Sequence, residues 1–188
     1  MNGKIYIVGG LLSPNTGFSA HFESYDPVKD TWTVLRPLLE TRHHITLSAV
    51  NGLLYGVGGL TDGFPDWRAQ PTMFIYNPGF NTWTKGTDLP VARAEGISAV
   101  VDNKIDLIGR RVRATEDAWL FNDHTDSARN EVFNPATKRW LALANAPTPR
   151  NSAASAVIDG NIYVVGGRKF IKNADGTTRQ VNVANLEV

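Results

Sequence analysis

The 188-residue chain repeats itself, and that constrains its fold more than any other feature. Trp32, Trp83 and Trp140 each stand seven residues after an aromatic residue. Each of those aromatics opens a triplet: Tyr25-Asp26-Pro27, Tyr76-Asn77-Pro78 and Phe133-Asn134-Pro135. From each of these tryptophans a glycine signal follows after 26 residues, at Gly58-Gly59, Gly109-Arg110 and Gly166-Gly167. Gly9-Gly10 is the first copy, and Gly109-Arg110 is degenerate. The distance from the first glycine to the triplet aromatic varies, being 16, 18 and 24 residues in successive copies. When all length variation sits in one connection per unit, those loops gather on one face, often the binding face.

Within a unit the pattern reads as four strands. The first is apolar and rich in small residues, as in Thr46-Leu47-Ser48-Ala49-Val50, Ile97-Ser98-Ala99-Val100-Val101 and Ala154-Ser155-Ala156-Val157-Ile158. Apolar residues on both faces imply a strand covered on both sides. A tight turn follows at Asn51-Gly52, Asp102-Asn103 and Asp159-Gly160, a strong hairpin signal. The second strand ends at the glycines. The third leads into the triplet, whose Pro and Asp or Asn belong to a turn, and the fourth begins at the Trp. No long segment shows a 3.6-residue amphipathic period, so the expected class is all-β.

Composition removes several functions. Cysteine is absent, which rules out disulfides, thiolate metal sites and cysteine nucleophiles within these residues. A net charge of +1 gives no electrostatic reason to expect a nucleic-acid partner. No stretch approaches the roughly 18 apolar residues that span a bilayer. The residues after Met1 form only a short apolar run, so no signal peptide is read, and the compartment stays open. No cofactor motif and no metal-ligand spacing stand out.

The repeated Gly-Gly, aromatic-x-Pro and Trp pattern resembles the kelch repeat over nearly the whole chain, in the manner of a bacterial kelch-like protein. The resemblance implies a β-propeller of four-stranded blades around a central channel. The glycine pair would end the second strand, and the Tyr and Trp would pack within and between blades. On this reading the chain is a kelch-type segment of about 3.5 blades: a partial blade over 2–41, whole blades over 42–92 and 93–149, and a partial blade over 150–188. The strand count is three, four, four and three, as expected of a fragment of a larger propeller with exposed apolar edges.

Candidate binding residues follow from this frame. Arg42, Arg93 and Arg150 recur nine residues before the first hairpin turn, so a propeller would set them in an arc. Such an arc either binds carboxylates, in an acidic peptide or a sialic-acid-like sugar, or bonds backbone carbonyls between blades. The residues beside the arginines differ between copies: His43-His44, Ala94-Glu95 and Asn151-Ser152. Non-repeating polar residues of this kind, His43 and Asn151 among them, are the better candidates for specificity. Phe18, Trp67 and Trp119 occupy similar places in three variable connections, where they either form a stacking platform or pack the loops down. Asp106 replaces a tyrosine of the second strand and needs a partner, with Arg110, Arg111 and Arg113 nearby. Lys172-Asn173-Ala174-Asp175-Gly176 suggests a protruding hairpin.

Two functions remain. One is a binding scaffold for a protein or glycan ligand. The other, suggested by kelch-like sialic-acid epimerases (mutarotases), is a carbohydrate-active propeller. That reading needs an acid–base residue near arginines, and Glu95 is the catalytic candidate. The copper-radical chemistry of the galactose-oxidase group needs a tyrosine cross-linked to cysteine, which the missing cysteine excludes within this segment.

Overall fold

A computed structural model describes residues 1–13, 17–63, 66–113 and 124–188, and for residues 112, 113 and 124 the backbone alone. The first sheet holds β1 (Ile5–Val8), β2 (Phe22–Asp26) and β3 (Thr31–Val34) in that order. The second is β4 (Thr46–Val50), β5 (Leu53–Val57), β8 (Met73–Asn77) and β9 (Thr82–Lys85), with β6 (Leu60–Thr61) and β7 (Arg68–Ala69) forming a small hairpin of their own. The third runs β10 (Ile97–Val101), β11 (Lys104–Arg113), β12 (His124–Asn134) and β13 (Arg139–Ala142). The fourth is β14 (Ala154–Ile158), β15 (Asn161–Val165) and β18 (Leu186–Glu187). A separate hairpin of β16 (Arg168–Lys172) and β17 (Thr178–Asn182) protrudes between the last two. The count of three, four, four and three strands is the one the repeat implies.

Local chemistry explains these sheets. Asn2-Gly3, Asn51-Gly52, Asp102-Asn103 and Asp159-Gly160 all have both φ angles positive, between 48° and 77°. That turn matches the right-handed twist of paired strands, and Gly, Asn and Asp enter it at least cost. In the triplets, Asp26, Asn77 and Asn134 turn the chain by accepting the backbone N–H two residues on, at 3.1, 2.9 and 2.9 Å. The turn brings each triplet aromatic opposite its Trp: Tyr25 with Trp32, Tyr76 with Trp83, and Phe133 with Trp140. Their ring centroids lie 4.9, 5.0 and 5.1 Å apart, so the seven-residue spacing is a cross-strand aromatic pair.

The sheets stack face to face. Tyr6, Val8 and Phe22 of the first meet Leu54, Phe74, Tyr76 and Trp83 of the second. Tyr55, Val57 and Met73 of the second meet Ile105, Leu107 and Phe133 of the third. Ile108 of the third packs with Val164 of the fourth. The tryptophans also tie neighbouring blades. The Trp83 indole donates to the Arg36 carbonyl at 3.0 Å, and that of Trp140 to the Thr87 carbonyl at 3.2 Å. Strand β10 lies between β4 and β14 on the inner side, where Thr46 Oγ1 donates to the Gly96 carbonyl and Ser155 Oγ to the Ser98 carbonyl. Small residues suit that close approach. The radial stack places the connections between blades and the variable loops on one face.

Candidate functional site

The three repeated arginines anchor this face from below. The backbone carbonyls of Arg42, Arg93 and Arg150 accept N–H bonds from Gly10, Gly59 and Arg110 of the preceding blade. A Cβ on Gly9, Gly58 or Gly109 would stand 2.2, 2.4 or 2.6 Å from those carbonyl oxygens, which is why the first glycine of each pair recurs. The arginine side chains then run into their own blades. Arg42 lies over the Phe74 ring at 5.5 Å and bonds Glu40 at 2.8 Å. Arg93 pairs with Glu131 and reaches the Leu107 carbonyl. Arg150 bonds the Gly166 and Asn185 carbonyls at 3.0 and 3.1 Å and pairs with Glu187 at 2.7 Å. Phe74, Glu131 and Glu187 hold the same place in their repeats, two residues before the triplet position. All three guanidinium groups are buried, each already met by carboxylates, carbonyls or a ring.

The residues beside the arginines differ between blades, and the fold brings them together. His44, Glu95 and Ser152, each two residues past its arginine, have positive φ of 52°, 56° and 52°. Glu95 N–H donates to the His44 carbonyl and Ser152 N–H to the Glu95 carbonyl, at 3.3 and 3.1 Å, so consecutive blades are stitched into an arc. Their side chains meet at one carboxylate. Glu95 Oε1 lies 3.1 Å from Arg111 and 3.6 Å from His44 Nε2, while Oε2 accepts the Ser152 hydroxyl at 3.0 Å. The local partner of Glu95 is thus Arg111, not the sequence neighbour Arg93.

Aromatic side chains wall this arc. Trp67 lies against His43 at 5.3 Å, His44 at 5.4 Å and the Arg111 guanidinium at 5.6 Å. Phe18 stacks on His43 at 5.5 Å, so Phe18 and Trp67 flank one imidazole. Phe170, on the β16–β17 hairpin, covers Arg111 at 5.1 Å. Asn151 Nδ2 donates to Asp126, which also accepts the Phe170 backbone N–H. The cluster therefore runs without a break from Phe18 through Trp67 and Glu95 to Phe170, across all four sheets. Trp119 lies outside the described residues.

Burial sets the electrostatics. Burial, then His44, pushes His43 down from 6.5 to about 4, so both its nitrogens act as a neutral ring between His44 Nδ1 and the Asp62 carbonyl. Burial, then Arg111, also holds His44 below its usual value. Burial raises Asp126, partly offset by its bonds to Asn151 and Phe170. Asp106 is likewise raised by burial. The expected partners of Asp106 are engaged elsewhere, Arg110 with Glu131 and Arg111 with Glu95, while the Arg113 side chain is outside the described set. The register shifts between Ile108 and Arg110, and beyond that bulge Arg110 meets Glu131 while Arg111 meets Glu95. Among the described residues no group of three His, Asp or Glu is placed to hold a metal ion.

Arg111, Asp126 and Phe170 are the cluster members that spacing alone does not single out. They lie on non-repeating extensions, whose signals in the sequence are the break of the glycine pair at Arg110 and the hairpin turn at Lys172-Asn173-Ala174-Asp175-Gly176.

The stacked sheets and the arc of blade connections define a β-propeller segment. A family model of the kelch motif matches residues 1–39 and 41–90. Kelch-like protein terF of Aspergillus terreus is 27% identical over 98% of this chain and 41% of that protein. Beta-scruin of Limulus polyphemus is 28% identical over 88% of this chain and 18% of that protein. The solved structure of YjhT matches with a TM-score of 0.73 at 19% identity, over 98% of this chain and 66% of that one. The chain carries kelch motifs over its first half and is similar to kelch-like proteins, and its fold is a segment of a kelch β-propeller. It spans less than half the length of these two curated relatives.

Proposed function

We propose that this kelch segment is an interaction scaffold whose loop face, over His44, Trp67, Glu95 and Ser152, receives a protein or glycan ligand. One observation carries the reading: the side chains that differ between repeats converge into a single polar and aromatic cluster that leaves His44 and Ser152 open to solvent, while the repeated arginines run into their own blades. A structural repeat conserves what holds the blades, and the positions free to vary carry recognition. Trp67 is half-buried and offers an apolar body beside fixed hydrogen-bonding groups, the composition of an interface anchor. The buried guanidinium groups of Arg42, Arg93 and Arg150 act through the backbone frame on this reading, and an acidic ligand would meet the hairpin cations instead. Peptide and glycan arrays probed with the full chain supply the ligand. Trp67→Ala then weakens it by about 2 kcal/mol. An unchanged affinity for every ligand found would refute the site.

A second reading is a carbohydrate-active propeller such as a sialic-acid epimerase. What supports it is Glu95, a buried carboxylate held between Arg111, His44 and Ser152 at the face where a sugar would enter. Sugar mutarotation followed by NMR tests it. Accelerated anomer exchange that is lost in Glu95→Gln favours the enzyme, and no acceleration by the parent chain eliminates it.

A further inference from the structure

The fourth sheet keeps a charge balance that the third breaks. In the fourth sheet one arginine, Arg150, meets one carboxylate, Glu187. In the third sheet three arginines meet one. Glu131 Oε2 pairs with Arg93 and lies 3.4 Å from Arg110 Nη1, and Oε1 lies 3.3 Å from Arg129 Nη2. The two additional cations are departures from the repeat. Arg110 stands where the other copies carry Gly10, Gly59 and Gly167, and Arg129 where they carry His21, Thr72 and Asn185. Among the described residues, Asp106, the carboxylate that departs from the repeat on the same strand as Arg110, forms an ion pair with neither of them.

The imbalance is inside the protein. Arg93 is 1% exposed, Arg110 3% and Glu131 1%, while the Arg129 side chain is 45% exposed. The Nε atoms of Arg93 and Arg110 are buried and find no hydrogen-bond partner. Burial together with the neighbouring arginines pushes Arg93 down to about 9, and burial pushes Arg110 down to about 10, so both stay charged at neutral pH. The other buried carboxylates nearby are committed: Glu95 to Arg111 and Ser152, and Asp126 to Asn151 and the Phe170 backbone. A buried charge without a counter-charge is strongly unfavourable, and each guanidinium presents a planar fork suited to two oxygens of one anion.

We propose that Arg110 and Arg129, above the Arg93–Glu131 pair, form a binding site for an oxyanion, a carboxylate or a phosphate group, entered from the Arg129 side. The missing counter-charge comes from the ligand. The site is independent of the loop-face reading, because neither Trp67 nor His44 contributes to it.

Thermal unfolding of the full chain at constant ionic strength, with chloride replaced stepwise by inorganic phosphate or by glutarate, tests the site. The midpoint rises saturably with at least one of them, and the anion acting at the lower concentration identifies the group preferred. Arg129→Gln weakens the apparent affinity at least tenfold. Arg110→Met, which keeps the apolar stem, raises the midpoint in chloride and abolishes the response. Three results overturn the proposal: a midpoint that follows ionic strength alone, a response retained in Arg110→Met, or a lower midpoint for Arg110→Met in chloride. The last would show that Arg110 is fully compensated within the chain.

Discussion

The middle and end sheets carry the same repeat residues in different surroundings. Trp83 in the second sheet is 5% exposed, and its counterpart Trp32 in the first is 54% exposed. Val57 and Val165 both directly precede a glycine pair, yet they are 3% and 48% exposed. Phe22 and Tyr76 crowd Trp83, and the Arg36 carbonyl takes its indole N–H. Trp32 has its partner Tyr25 and an open face beyond. The lesson is that a blade residue has two environments, one inside its own sheet and one supplied by the next sheet. The repeat specifies the first in every copy. Only a neighbour supplies the second, and most of the hydrophobic stabilisation comes with it.

The largest expected effect tests that division directly. Trp83→Ala removes a buried aromatic and leaves a cavity, at a cost of about 3–5 kcal/mol. Trp32→Ala costs roughly 1 kcal/mol or less, as for exposed positions. Urea unfolding of the two variants measures the difference. Equal losses would break the comparison, since they would mean that the in-sheet contact with the tyrosine carries the energy.

The glycines give the next test. Gly58 and Gly166 have φ of 67° and 69°, so alanine at either pays the left-handed penalty of about 1–2 kcal/mol. At Gly58 the added Cβ also stands 2.4 Å from the Arg93 carbonyl, while at Gly166 the nearest atom is 3.9 Å away. Overpacking adds roughly 1–3 kcal/mol. Gly58→Ala therefore costs about 2–5 kcal/mol and Gly166→Ala only the shared backbone part, again by urea unfolding.

The loop cluster, which rests on the middle sheets, adds a dependence on pH. The folded state holds His43 near 4 against 6.5 for a free imidazole. The neutral ring is the folded form, so its contribution is complete above pH 6.5 and is lost as pH falls toward 4. The loss reaches at most roughly 3 kcal/mol at pH 4. Unfolding midpoints compared at pH 7 and pH 4 reveal it, and His43→Gln removes that part of the slope. A slope unchanged in His43→Gln would assign the acid sensitivity to other groups.

Much of the frame was legible because its physics is local. The tight turns follow from Asn-Gly and Asp-Gly, and the Tyr–Trp pairs from a seven-residue spacing that one turn closes. The kelch pattern then supplied the radial order. What the spacing left open was each residue's partner across blades. Arg42, Arg93 and Arg150 have the same sequence position, but Phe74, Glu131 and Glu187 meet them, and that pairing needs the stack. Glu95 was legible as a candidate and its partner was not, because Arg111 sits past a bulge on a strand that outruns the repeat. Periodicity constrains what recurs, and the functional cluster is built from what does not.

The smallest expected effect isolates a single hydroxyl. Tyr76 donates to Asn81 Oδ1 at 2.8 Å in a half-buried setting, and Tyr25 donates to Asp30 at 2.7 Å in an exposed one. Phe133 shows that a blade tolerates losing this bond, with Lys138 standing where Asn81 and Asp30 stand. In Tyr76→Phe the oxygen of Asn81 keeps the Arg36 N–H bond at 3.0 Å, so no acceptor is left orphaned. The cost is then only the net value of one hydrogen bond, about 1 kcal/mol. Water replaces the lost partner in Tyr25→Phe, which leaves the unfolding midpoint unchanged. If Tyr25→Phe lowers the midpoint as far as Tyr76→Phe does, the neighbouring sheet contributes nothing to this bond, and the contrast between middle and end sheets is confined to apolar contacts.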